Sequence, residues 1–263
     1  MPLTTEQIVE SAQRLHQAEL ARRQVRKTAD LHPGLSMDDA YAIQRATRAL
    51  KEAEGVTIPG YKIGLTSPVK IRQQGSTEPL YGFLVDYGPI EDRGTVPLEQ
   101  LIHPRIEMEF AFVLRDALRG AHCDIETVLA ATAYVSPAME IIDSRYETSS
   151  FDIASGVADN MSTARYVLGS TRLDPRAADW PLVAAVMEKN GEVTGTGAGA
   201  AVMGHPAAAL AWLVRKLWQT HGEGIGAGSV VLTGGISDAI PVKAGDRIVA
   251  RFSGMGTVSC DFA

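Results

Sequence analysis

Sulfur, aromatic rings and positive charge are all scarce in this chain. Of its 263 residues only two are cysteines, Cys123 and Cys260, far apart in sequence. That excludes a disulfide scaffold and a cysteine-rich zinc module. Aromatic residues amount to 6%, and Lys plus Arg number 25 against 31 acids, a formal net charge of −6. A general nucleic-acid binder needs a basic footprint, so this balance argues against one. No apolar run approaches the ~20 residues that a membrane span requires. The opening MPLTTEQIVES has neither the basic segment nor the apolar core of a secretion signal. The expectation is a cytoplasmic protein with no membrane and no nucleic-acid partner.

Glycine, by contrast, is plentiful at 25 residues, and 45% of the chain is hydrophobic. At this length roughly 70–75% of the unfolded chain's surface can be buried, so the core needs no covalent staple.

Residues 1–60 read as a helical N-terminal region. Thr4-x-x-Gln7 has capping-box form, and Ile8, Ala12, Leu15, Ala18 and Ala21 recur at helical spacing, which predicts a helix to about Asp30. A second box, Ser36-x-x-Asp39, opens a helix to about Glu54, with Gly55 as its stop. From 61 to 263 short β-type runs alternate with Gly and Pro, and Asn190-Gly191 is a hairpin signal. Helices are predicted over 123–132 and 205–221. Strands and helices do not alternate regularly, so the pattern indicates an α+β fold rather than a barrel or doubly wound sheet.

Chemistry-bearing residues cluster in the β-rich part. In HPRIEMEFAFVL, strand alternation puts Ile106, Met108, Phe110 and Phe112 on one face and Glu107, Glu109, Ala111 and Val113 on the other. Two alternating acids are ordinarily a solvated outer face. Here that face continues as Ala111 and Val113, and carboxylates on a half-apolar face repel unless a cation lies between them. Hard oxygen ligands suit Mg²⁺ or Mn²⁺. Glu140 is the lone charge in the apolar run AYVSPAMEII; it is either an edge residue facing water, a partner for Arg145, or the third carboxylate of the set. Lys62, in the Gly-flanked run YKIG, is either a surface lysine or a base or electrostatic anchor. Asp159, Asn160 and Ser162 could line a site or form a plain turn. Thr233-Gly234-Gly235 could bring backbone close to a ligand.

Other chemistries fit poorly. Gly195-x-Gly197-x-x-Ala200 matches a dinucleotide fingerprint but follows a hairpin turn rather than a buried parallel strand. There is no G-x-S-x-G, and His103 and His205 each precede a proline, which reads as turn chemistry.

The stretches YKIGLTS, LIHPRIEMEFAFVL, AMEIIDSRY, VADN, MEKNGEVTGTGAGAAVMGHP and GDRIVARFSGMGTVSC together resemble the fumarylacetoacetate hydrolase superfamily across nearly the whole chain. More narrowly they resemble its small hydratases and decarboxylases from meta-cleavage catabolism of aromatics. The resemblance implies a mixed-β catalytic region over 61–263 and a divalent-metal lyase, with Mg²⁺ or Mn²⁺ on Glu107, Glu109 and Glu140 and with Lys62 as the active-site lysine. Hydratases resemble one another in carrying Asp where this chain has Leu80; the decarboxylases have an aliphatic residue there. The DSRYETSSFD and TGGISDAIPV stretches also resemble the decarboxylases. The implied reaction is loss of CO₂ from a 2-oxo-enedioate such as 4-oxalocrotonate, with hydration of a 2-hydroxydienoate as the alternative. Arg145 is a candidate for the substrate's distal carboxylate, or for orienting Glu140. Leu80, Asp159, Ser162 and Thr233 are candidates to line the substrate. The family further implies a homo-oligomer, or a complex with the pathway's hydratase.

Overall fold

The computed structural model describes residues 2–147 and 152–263. Residues 148–151, within the DSRYETSSFD stretch, lie outside the described residues. The N-terminal region holds α1 (Thr5–Leu20), α2 (Thr28–Leu31) and α3 (Met37–Ala53). The α1 capping box closes as expected. Gln7 N–H donates to Thr4 Oγ1 at 3.2 Å, and Thr4 N–H donates to Gln7 Oε1 at 2.9 Å. The helix stops at Leu20, well short of Asp30. Beyond Ala21 the run Arg22-Arg23-Gln24 offers no apolar anchor, and Arg22 turns the chain with φ of 50°. Val25 then pairs with the Tyr146 segment, its N–H donating to Arg145 O at 2.8 Å. At α3, Ser36 Oγ accepts from Asp39 N–H at 3.1 Å, while the Asp39 carboxylate accepts from Leu3 N–H at 3.0 Å. The second box is therefore half closed, and its acid ties the two helices' starts together.

The remaining helices are α4 (Pro68–Gln73), α5 (Ile125–Ala131), α6 (Ile153–Ala158) and α7 (Pro206–His221). The strands are β1 (Gly60–Gly64), β2 (Leu80–Phe83), β3 (Pro89–Ile90), β4 (Thr95–Val96), β5 (Arg105–Leu114), β6 (Thr132–Ile142) and β7 (Thr163–Leu168). They continue with β8 (Ala184–Lys189), β9 (Glu192–Ala198), β10 (Val230–Leu232), β11 (Ile240–Pro241), β12 (Arg247–Phe252) and β13 (Gly256–Phe262). One sheet runs β2-β1-β10-β5-β6-β7-β3, with β11 beside β5; the other runs β4-β13-β12-β8-β9. This is the expected α+β architecture, helices first and mixed sheets after.

The long antiparallel pair β5–β6 is the spine. Its first face carries the fully buried Ile106, Met108, Phe110 and Phe112. That face packs on the second sheet: Phe110 meets Phe252 edge to face with ring centroids 5.5 Å apart, and meets Trp180 at 6.2 Å. Truncating such a buried ring to alanine costs about 3–5 kcal/mol. The opposite face carries Ala111, which packs with Leu84, Ala138, Tyr166 and Leu232. It also carries the acids, as the alternation predicts.

Asn190 and Gly191 both adopt positive φ, 55° and 88°, and join β8 to β9 in the expected tight hairpin. The apparent dinucleotide fingerprint lies in and just after β9. A Cβ on Gly197 would sit 2.1 Å from the Ile236 carbonyl oxygen, so this glycine serves close backbone packing. At the entry to β7, Asn160–Ser162 form three successive non-glycine residues with positive φ, at 50°, 51° and 58°. Each costs about 1–2 kcal/mol, so neighbours must hold the turn.

Candidate metal centre and active site

The register of β5 on β6 sets Glu107 opposite Glu140 and Glu109 opposite Ala138. Opposed residues of an antiparallel pair share a face, as do residues two apart, so all three carboxylates converge. Their nearest oxygens lie within 4.8 Å of one another, and Glu109 and Glu140 are wholly buried. Gly234 N–H donates to Glu109 Oε2 at 2.7 Å. Glu109 Oε1 and both Glu140 carboxylate oxygens accept no hydrogen bond. Buried, unsatisfied carboxylate oxygens cost several kcal/mol unless a cation engages them. The donor set, three carboxylates with oxygens left free, fits Mg²⁺ or Mn²⁺. Burial first, then Glu140 and Glu107, push the Glu109 carboxyl well above its ordinary value against the opposing pull of Lys62. Burial likewise lifts Glu107 to about 7, opposed by Lys62 and reinforced by Glu140.

Lys62 belongs to β1, with β10 and β5 between it and β6, yet its Nζ lies 2.9 Å from Glu140 Oε2. β10 ends at Leu232, the residue paired with Lys62, and the lysine's side chain reaches past that end to the acids. Its side chain is 3% exposed and also donates to Met161 O at 3.4 Å. Burial alone would lower its pKa; Glu140, Glu107 and Glu109 outweigh that and raise it, so the ammonium stays charged in this cluster.

After Leu232 the chain arches over the acids. Thr233 N–H donates to Phe110 O at 3.0 Å and Ile236 N–H to Met108 O at 2.9 Å, with Gly234 and Gly235 bowed out between them. A Cβ on Gly235 would lie 2.1 Å from Glu107 Oε2. Only glycine lets the backbone pass so close to a carboxylate.

Leu80 pairs with Gly64 beside Lys62, on the same face as the lysine. It is 1% exposed and packs with Val157, Ala158 and Met161. A cleft of about 490 Å³ opens next to it, lined in part by Met37, Ser76, Glu78 and Ile153. The other candidates have protein partners. Thr233 Oγ1 donates to Phe110 O at 3.2 Å, and Ser162 Oγ lies 3.4 Å from Asp159 Oδ2. Arg145 is buried, with its donors directed inward: Nε to Asp159 Oδ1 at 2.5 Å, Nη1 to Asp143 O at 2.8 Å and Thr163 O at 3.1 Å, and Nη2 to Asp159 O. Asp159 also accepts from Arg145 N–H at 3.1 Å. Thus Glu107, Glu109, Glu140 and Lys62 gather at one place, with Leu80 on the lysine's face of the sheet, while Arg145 and Asp159 form an ion pair that ties the 143–145 segment to the 159–163 turn. Met161, whose carbonyl meets the lysine, had no sequence signal of its own.

A mixed sheet presenting two buried carboxylates, a third partly buried one and a buried lysine is suited to hold a divalent cation, and the fold is that of the fumarylacetoacetate hydrolases. The fold likeness extends to a fumarylacetoacetate hydrolase from Exiguobacterium antarcticum, with a TM-score of 0.60 at 15% identity over 78% of this chain and 74% of that one. The chain belongs to the family that holds the 4-oxalocrotonate decarboxylases and the 2-hydroxydienoate hydratases. It is 45% identical over 260 residues to a 4-oxalocrotonate decarboxylase of Pseudomonas sp. strain CF600, covering 99% of this chain and 98% of the relative. It is 40% identical to a 2-hydroxyhexa-2,4-dienoate hydratase of Comamonas testosteroni, over 99% of both chains. The solved structure of 4-oxalocrotonate decarboxylase from Pseudomonas putida G7, complexed with magnesium and adipate, matches with a TM-score of 0.96 at 44% identity over 99% of both chains. No family model matches. Among the described residues no helix is long and apolar enough to cross a membrane.

Proposed function

We propose that this chain is a divalent-metal-dependent carboxy-lyase. Its substrate is 4-oxalocrotonate (2-oxohex-3-enedioate), and its products are 2-hydroxypenta-2,4-dienoate and CO₂. The observation that supports the reading is the convergence of two buried carboxylates and a partly buried third beside the buried Lys62 ammonium, with Leu80 on the lysine's face of the sheet. Sequence identity supports it: 45% to the decarboxylase against 40% to the hydratase. Adipate, held by the solved relative, is a saturated six-carbon diacid of the same chain length as this substrate.

Glu107, Glu109 and Glu140 would hold the cation, which when bound would supply a Lewis acid for the 2-oxo-acid end of the substrate. The chain's own groups do the rest. The bond between C5 and the distal carboxylate breaks, CO₂ leaves, and the electron pair passes through the conjugated carbons to the C2 oxygen. Lys62 directs its ammonium at that oxygen, stabilises the negative charge and delivers the proton that completes the enol. Leu80, Val157 and Met161 exclude water from the reacting carbons, and an apolar wall favours turning a charged carboxylate into neutral CO₂. Ser162 and Thr233 hydroxyls are the proposed donors to bound substrate.

The proposal extends to setting. The enzyme works in the cytoplasm, as a homo-oligomer or in complex with the hydratase that consumes its product. A dienol ketonises in water, so direct transfer to a hydratase preserves it. Sedimentation of the chain alone and mixed with that hydratase tests the assembly. The function is tested by incubating purified protein with 4-oxalocrotonate and Mg²⁺ while trapping CO₂. Stoichiometric CO₂ is expected. No CO₂, together with efficient hydration of 2-hydroxypenta-2,4-dienoate, makes the chain a hydratase instead.

A further inference from the structure

Three consecutive left-handed residues without a glycine are rare, and here they stand against the lysine. The chain could have used glycine at 160, 161 or 162 and paid nothing in backbone strain. Instead the turn carries Asn160, Met161 and Ser162, and several contacts hold it in place. The Asn160 side chain behaves like an added strand residue: Oδ1 accepts from Phe83 N–H at 2.9 Å and Nδ2 donates to Phe83 O at 2.9 Å. Thr163 Oγ1 donates to Asn160 O at 2.8 Å. Asp143 N–H donates to Ser162 O at 2.7 Å, and the Arg145–Asp159 pair holds the start of the turn. Between these fixings the Met161 carbonyl points at Lys62 Nζ.

An ammonium has three N–H donors and no acceptor. At Lys62 one N–H goes to Met161 O at 3.4 Å, and Glu140 Oε2 stands 2.9 Å from Nζ as its ion-pair partner. These two anchors narrow the directions left to the N–H groups on the site's face. We infer that Asn160 is a positioning residue: by clamping the left-handed turn to β2 it sets the Met161 carbonyl that, with the Glu140 charge, orients the Lys62 ammonium toward the substrate. This rests on Lys62 being the proton donor of the proposed reaction. Asn160 makes its hydrogen bonds to Phe83 and Thr163.

The test uses Asn160→Gly and Asn160→Asp in the full chain. Glycine keeps the left-handed backbone without strain and removes the clamp. Aspartate keeps the acceptor for Phe83 N–H and removes the donor to Phe83 O. With Mg²⁺ and 4-oxalocrotonate, both folded variants are expected to lose about 10–100-fold in kcat, with KM within about twofold and Mn²⁺ affinity unchanged by titration. Independently of activity, the ¹⁵N signal of the Lys62 ammonium in metal-free protein, assigned with Lys62→Met, is expected to shift in both variants. A wild-type kcat in either folded variant, a loss that follows Mn²⁺ affinity, or an unchanged ammonium signal overturns the inference. If wild-type protein releases no CO₂, the functional reading fails alone, and the ammonium signal still decides the role of Asn160.

Discussion

Gly235→Ala isolates the contact between backbone and metal ligand. A Cβ there would sit 2.1 Å from Glu107 Oε2 and 2.8 Å from its Cδ, against an ordinary contact of at least 3.4 Å. The carboxylate or the arch must therefore move by roughly 1 Å. Gly235 does not use positive φ, so alanine brings no backbone strain of its own. Glu107 is the least buried of the three acids, and it can swing away at little cost to folding. The expected result is a small change in melting temperature with a large change at the metal. Displacing one ligand support by this distance lowers metal affinity about 10–100-fold, or ~1.4–2.7 kcal/mol. Mn²⁺ titration followed by electron paramagnetic resonance reads this directly. Gly226→Ala is the control, because its nearest neighbour, Ser229 Oγ, is 3.9 Å away. Mn²⁺ affinity within twofold of wild type in folded Gly235→Ala would refute the reasoning.

Four further outcomes are expected. EDTA should abolish turnover, and Glu107→Gln should weaken Mn²⁺ binding about 10-fold or more on the same titration; turnover indifferent to both removes the metal site. In metal-free protein the Glu107 carboxyl titrates near 7 when folded against 4.5 as its reference value. The folded state thus holds more protons between those values, and its stability falls as pH rises through that window. Mn²⁺ binding at pH 6 should accordingly release protons, measured by calorimetry in buffers of different ionisation enthalpy. Leu80→Asp places a carboxylate among Val157, Ala158 and Met161 and should lower CO₂ release about tenfold or more, ~1.4 kcal/mol in the barrier; an unaffected rate means that position does not select the reaction. Glu19 joins α1 to α3 through Lys51 at 2.9 Å and also accepts from Tyr87 Oη at 2.8 Å. Burial raises its pKa, but Lys51 and Arg145 outweigh this and hold it near 2. Glu19→Gln should cost about 2–3 kcal/mol in urea unfolding near pH 7, and the wild-type advantage should disappear as pH falls from 4.5 toward 2.

Local rules carried much of the reading. Strand alternation alone sorted Ile106, Met108, Phe110 and Phe112 from Glu107 and Glu109, because a β-strand has only two faces. Asn190-Gly191 declared its hairpin, since few other pairs take positive φ twice. The capping residues Thr4 and Ser36 marked helix starts for equally local reasons. What escaped depends on distant partners. No spacing rule puts Glu140 opposite Glu107; that requires the register of β6. Nothing local brings Lys62 across two strands; the order of strands in the sheet and the end of β10 do. The end of α1 fell short because periodicity continued weakly through Ala21 while the next residues found better partners near Tyr146. For Arg145 the sequence leaves open a substrate carboxylate or a supporting role, and only the fold reveals the Asp159 carboxylate and the carbonyls that surround it. The left-handed turn left one trace, an asparagine, the residue most tolerant of that conformation after glycine.

The buried cluster also has a charge count. Three carboxylates and one ammonium leave two negative charges in a space that water scarcely reaches. A monovalent cation would leave one of them uncompensated, and a trivalent one would leave an excess positive charge. A divalent ion brings the site to neutrality before substrate arrives. On the proposed ligand set Lys62 would therefore set the preferred valence: without its ammonium the same three acids would be balanced by a trivalent ion. Discrimination between ions of similar radius but different charge, such as Ca²⁺ and a trivalent lanthanide, would then depend on a residue that need never touch the metal.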